Sequence, residues 1–207
     1  MHGNSNMQTS YLGYNYLLDH LASHGFIAMS IYAPPGTMIE TRARAILKHL
    51  EIMAQNNTNP GLFQGHLDLG QIGIMGHSRG GEAVVRAARI NTSEALGWNL
   101  HAGISLAPTD FFHYGDPGLP LLVIYGSNDG DVAGWWAAPP SASFTGFDIY
   151  DEAGKPRSFV FVYGATHDRF NSEWASIETT TELYFPSGST INSWGSIQTS
   201  DLPKLIS

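Results

Sequence analysis

The chain of 207 residues contains no cysteine. That removes disulfides, thiolate metal sites and a cysteine nucleophile together, and it leaves the compartment open, because cytosolic and exported proteins alike can lack cysteine. Positive charge is scarce: 10 Lys and Arg stand against 18 Asp and Glu, a net charge of −8. With no Lys/Arg cluster as a local exception, nucleic acid is excluded as a partner, and a neutral or apolar substrate fits better than a polyanion. No apolar run approaches the length of a membrane span, and the first residues lack a charged segment followed by an apolar signal core. Internal repeats, heptads and low-complexity blocks are also missing. What remains is 43% hydrophobic and 12% aromatic, enough to bury one core, so residues 1–207 are expected to form a single domain. Composition fixes neither the oligomeric state nor the localisation.

Apolar periodicity alternates between two kinds of segment. Tyr14, Leu17, Leu18 and Leu21 fall at helical spacing within 11–24 and Gly25 supplies a stop. Ala43, Ile46, Leu47, Leu50 and Met53 mark a second helix over 38–55, closed by a loop from Asn56 to Gly61. Residues 26–32, 72–75, 100–107, 119–125 and 158–163 read as buried strands, and the Ser/Thr/Gly-rich stretch 186–200 as a loop. Strands alternating with helices imply an α/β fold, a mostly parallel sheet with helices on both faces. In such sheets the site lies at the carboxyl ends of the strands.

One of those ends carries Gly76-His77-Ser78-Arg79-Gly80, after an apolar strand and before the helix-like run 81–88. G-x-S-x-G in that context is a nucleophile elbow, in which a sharp turn projects the serine hydroxyl above the sheet and flanking glycines leave room for it. A serine hydroxyl is a poor nucleophile unless an imidazole takes its proton and a carboxylate orients that imidazole. Two loops at the same edge supply these groups: Asp129, with Asp131 two residues on as an alternative, follows the strand ending at Tyr125, and His167 follows the strand ending at Tyr163. Ser78, Asp129 and His167 are therefore the candidate catalytic residues, and their chemistry is acyl transfer. Trp135, Trp136, Phe111 and Phe112 also follow strand ends and are candidates for an apolar substrate pocket.

These residues resemble the α/β-hydrolase superfamily over nearly the whole chain. His2-Gly3-Asn4, with the segment from Tyr16 to Ile27 and the elbow itself, is similar to the chlorophyllase and cutinase-like polyester hydrolase branch. The resemblance implies a serine esterase needing no cofactor and no metal, with an oxyanion hole made by the backbone N–H groups of Arg79 and Asn4. It also implies that His2-Gly3 ends a strand lying between 26–32 and the elbow strand. On that basis the N-terminal strands are expected to be missing and a final helix not reached, leaving an incomplete sheet of low stability. The same triad serves peptidases and acyltransferases, and a catalytically silent binding module is the rival from another class.

Asn128-Asp129-Gly130-Asp131 echoes part of a calcium loop but lacks the distal Glu, so a turn is expected. His20 and His24 have the i,i+4 spacing of a zinc site without its glutamate, which favours a structural role. Glu82 and Arg86 read as an i,i+4 pair on a solvated helix face.

Overall fold

The computed structural model describes residues 1–127, 129, 131–132 and 146–174, with the backbone of two short strands further on. A 3-10 turn, Ser10–Tyr14, leads into α1 (Asn15–Ser23), followed by α2 (Ile39–Thr58), β1 (Ile72–His77), α3 (Arg79–Ser93), β2 (Leu100–Leu106), β3 (Leu121–Gly126), α4 (Gly146–Glu152) and β4 (Arg157–Val162). β1 to β4 form one parallel sheet in chain order. Register brings His77 opposite Leu106, Leu106 opposite Ile124, and Gly126 opposite Val162. Four carboxyl ends thus share one edge, and every candidate catalytic residue follows one of them.

The core explains this arrangement. Ile72 and Ile74 of β1 and Leu121 and Val123 of β3 alternate with residues of the opposite face, and they join Ala43, Ile46 and Leu47 of α2, Ala83, Val84, Ala87 and Ile90 of α3, and Ile149 of α4 in one buried cluster. Each fully buried Val or Ile contributes about 1.5–3 kcal/mol. The small residues of α3 let it lie close on the sheet directly after the elbow.

Residues 26–32 do not form the expected strand. The outer edge of β1 is met by Met1, whose nitrogen donates to Met75 O at 2.9 Å and whose carbonyl accepts His77 N–H at 3.1 Å. Extended chain at 26–32 therefore has no ladder beside it, and Phe26 and Ile27 are exposed. The segment is held instead at its ends, where Phe26 N–H donates to Leu21 O at 3.2 Å, Ile31 enters the core, and Ala33 N–H just beyond donates to His2 Nε2 at 2.9 Å. α2 continues through Asn56-Asn57-Thr58, where a loop is expected. β4 is an edge strand with Val160 and Phe161 about half exposed, not a buried one. Within 186–200, Thr190–Asn192 pairs antiparallel with Glu182–Tyr184.

Candidate active site

Ser78 sits between the last residue of β1 and the first of α3 with φ 56° and ψ −125°. A non-glycine residue in such a conformation costs about 1–3 kcal/mol and persists only where its surroundings hold it. Ser78 N–H donates to Leu106 O at 2.9 Å, and Ser78 O accepts from Gly81 N–H at 2.8 Å and from the N–H groups of Glu82 and Thr109 at 3.3 Å. Both motif glycines are demanded by close approach. A Cβ on Gly76 would lie 1.9 Å from Gly80 O, and one on Gly80 would lie 2.3 Å from Met1 O. Ser78 is 4% exposed. Its Oγ makes no hydrogen bond among the described residues.

On the neighbouring strand ends, His167 Nδ1 lies 2.8 Å from Asp129 Oδ2, both side chains being buried. Asp129 is itself held, its Oδ1 accepting Asp131 N–H at 3.1 Å and Val132 N–H at 2.8 Å; Asn128 and Gly130 of the expected turn lie outside the described residues. Asp131, half exposed, approaches the other ring nitrogen, with Oδ2 at 3.3 Å from His167 Nε2. Burial by itself would lower the basicity of His167, but the carboxylates of Asp129, Asp131 and Asp168 outweigh it and raise the imidazole to about 9.

The segment carrying the proposed second oxyanion donor is anchored from below. Gly3 packs so close to the elbow that a Cβ there would meet Ser78 Cβ at 2.5 Å. His2 accepts from Ala33 N–H on Nε2, so its Nδ1 carries the proton and donates to Gly3 O at 2.7 Å. Burial first, then the nearby charge of Arg42, lowers this imidazole to about 4 and keeps it neutral. The buried Arg42 donates from Nη1 to His2 O at 2.8 Å and from Nε to Thr37 O at 3.0 Å. The N–H groups of Asn4 and Arg79 are engaged in no hydrogen bond among the described residues.

Behind the imidazole, the His77 ring lies tilted against both His167 and Trp174, with centroids 4.9 Å apart in each case, and bonds Tyr14 Oη at 2.8 Å through Nδ1. Trp174 Nε1 donates to Ser10 Oγ at 2.8 Å and Asn171 Nδ2 to Ser10 O at 2.9 Å, docking the 3-10 turn on the loop after His167. Sequence reading missed Arg42, Tyr14, His77, Asn171 and Trp174. Only the position of His77 inside the elbow motif offered a signal.

Phe111 lies beside the elbow, with the Arg79 guanidinium 5.6 Å from its ring centre, while Phe112 packs on Tyr114 and is half exposed. Trp135 and Trp136 fall outside the described residues. Glu82 is not on a solvated face. It is fully buried, accepting Thr109 Oγ1 at 2.7 Å and Phe112 N–H at 2.9 Å, while Arg86 pairs with Glu40 at 2.5 Å. The spacing is right for a pair, but Glu82 turns toward the loop that α3 must hold. His20 and His24 lie with tilted rings 4.6 Å apart on the exposed side of α1, with no third ligand among the described residues. An open hollow lined by Tyr150, Lys155, Pro156 and Arg157 lies at the start of β4, the opposite sheet edge, and contains none of these groups.

A parallel sheet with helices α3 and α4 in two of its three connections, a strained serine at a strand-to-helix turn and an acid–imidazole pair on later strand ends define the α/β-hydrolase class. Within it, the chain belongs to the PET hydrolase-like family, whose model matches residues 6–181. It is similar to a bis(hydroxyethyl) terephthalate hydrolase of Streptomyces coelicolor, 28% identical over 151 residues. That match covers 71% of this chain and 43% of the relative, so the chain spans less than half the relative's length.

Proposed function

We propose that this protein hydrolyses carboxylic esters, with Ser78 as nucleophile, His167 as general base and acid, and Asp129 as the carboxylate that orients it. The observation that carries the reading is Ser78 held at φ 56° on the sheet edge where His167 has its Nδ1 fixed by Asp129 at 2.8 Å. Asp129 sets the tautomer by accepting the Nδ1 proton, which leaves Nε2 as the base. For attack, Nε2 exchanges Asp131 for the Ser78 hydroxyl, a bond that forms as substrate is seated. The hydroxyl adds to the ester carbonyl, its proton passes to Nε2, and the oxyanion is met by the N–H groups of Arg79 and Asn4. Loss of one such donor costs about 2.7–4 kcal/mol of transition-state stabilisation. Collapse expels the alcohol, which takes the proton from His167. Water then enters by the same route and releases the acid.

Neutral esters of aromatic or aliphatic acids, polyester fragments included, are the substrate class. The family match, the terephthalate-ester hydrolase among its relatives and the acidic chain support this. Hydrolysis of p-nitrophenyl butyrate and of bis(hydroxyethyl) terephthalate, beside Ser78→Ala, tests it. Activity should fall at least about 10³-fold in the variant, and a fluorophosphonate should label Ser78 and no other residue. A folded chain that is neither active nor labelled would overturn the reading in favour of a binding module.

A further inference from the structure

On the loop after β2, Asp110 and His113 converge with Glu152 at the end of α4. His113 Nδ1 is 2.8 Å from Asp110 Oδ2 and 3.4 Å from Glu152 Oε1, and one ligand atom from each of the three lies within 4.8 Å of the others. A four-coordinate ion with N and O ligands at about 2.0–2.2 Å spaces its donor atoms by about 3.3 Å; the separations of 2.8 Å and 3.4 Å from His113 lie near that spacing, and rotation of the partly exposed Glu152 side chain would bring its oxygen into place.

A second observation points to a ligand. The Asp110 side chain is 1% exposed, and its Oδ2, which faces the cluster, accepts no well-formed hydrogen bond. A buried carboxylate is ordinarily satisfied by several donors. The charged groups around it are mostly acidic, with Glu152, Glu82 and Asp148 nearby and the His113 imidazole, at 2.8 Å, the opposing group. A divalent cation would satisfy that oxygen and offset the excess of negative charge at once.

We infer that Asp110, His113 and Glu152 form a binding site for a divalent transition-metal ion, zinc being the best fit. One imidazole nitrogen with two carboxylate oxygens suits zinc, cobalt or manganese, whereas calcium asks for six to eight oxygens. The site is separate from Ser78 and does not depend on the ester hydrolase reading. Its two loop ligands flank Phe111 and Phe112, so an ion there ties the aromatic turn beside Arg79 to α4. Its role is structural, fixing that turn.

The test is titration of the purified chain, freed of metal with chelator, with ZnCl2 by calorimetry and with CoCl2 by visible absorption. Expected are one zinc per chain, cobalt d–d bands, and a Tm raised by about 5–10 °C at a hundredfold excess over Kd. His113→Ala and Glu152→Gln, both at partly exposed positions and checked for cooperative unfolding, should weaken binding at least tenfold. Ser78→Ala and His20→Ala/His24→Ala should bind as the parent does. Absence of stoichiometric uptake, or uptake that survives His113→Ala and disappears with His20→Ala/His24→Ala, would overturn the inference.

Discussion

Asp129 and Asp131 approach opposite nitrogens of one imidazole, and that division assigns them different consequences. Asp129 meets Nδ1 from a fully buried position with two backbone N–H groups on its other oxygen, whereas Asp131 meets Nε2 from a half-exposed one. Asp129→Asn should lower kcat by about 10⁴-fold by presenting the wrong tautomer, while Asp131→Asn should leave kcat within about tenfold of the parent. The pH profile separates them further. A base works only when neutral, so with His167 raised to about 9, activity should climb with pH until about that value. Asp131 helps to stabilise the charged ring, so Asp131→Asn should move the acid limb of kcat/KM downward by roughly one unit. A profile unmoved by that substitution would show that Asp131 leaves Nε2 in the working enzyme. Spacing in the chain puts both carboxylates within reach of the histidine; only the fold shows which nitrogen each one meets. The same limit explains Glu82, whose i,i+4 relation to Arg86 says nothing about which of them faces inward.

At the scale of elements, the elbow depends on β1, α3 and the His2-Gly3 segment meeting without side chains between them. Gly80→Ala brings a Cβ to 2.3 Å from Met1 O and 2.8 Å from His2 O, contacts that only backbone movement relieves. We expect a loss of about 2–4 kcal/mol in unfolding free energy by denaturant titration, comparable with other strained or overpacked sites. Arg42→Met tests the other support. It strips hydrogen bonds from His2 O and Thr37 O, which should cost about 1–3 kcal/mol for each carbonyl left buried, and it frees the segment that carries Asn4. Its kcat should fall with KM nearly unchanged if Asn4 N–H serves the transition state, whereas a merely structural arginine would lower Tm alone. Helices α1 to α3 and strands β1 to β4 were legible because their apolar spacing is sustained over whole elements. Residues 26–32 carry an equally good strand pattern and still form none, because a strand is completed by its neighbour and periodicity does not report neighbours. The seven-residue α4 is too short for a helical period to stand out.

At the scale of the whole molecule, the sheet edge and the charge act together. Register of β1 to β4 sets Ser78, Asp129 and His167 on one rim, a placement readable from chain order because parallel strands joined by helices point the same way. What chain order does not convey is the field at that rim. The protein carries −8 overall; Asp131 and Asp168 lie near His167, and Arg79 stands close to the elbow. An imidazolium at His167 offsets Asp129 but leaves the remaining excess in place. An approaching anionic ester should therefore be repelled over distances that salt controls, about 10 Å at 0.1 M and 3 Å at 1 M. The prediction is that kcat/KM for neutral p-nitrophenyl butyrate exceeds that for anionic p-nitrophenyl hemisuccinate most strongly at low ionic strength. The ratio should shrink several-fold by 1 M NaCl, through a rise in the anionic substrate's value alone. Intrinsic pocket preference is independent of salt, so a ratio that stays constant would assign the selectivity to contacts near Phe111 and Arg79 and would remove the global charge from the account. If the ratio rises with salt instead, the Arg79 guanidinium outweighs the acidic surround and draws anions to the elbow.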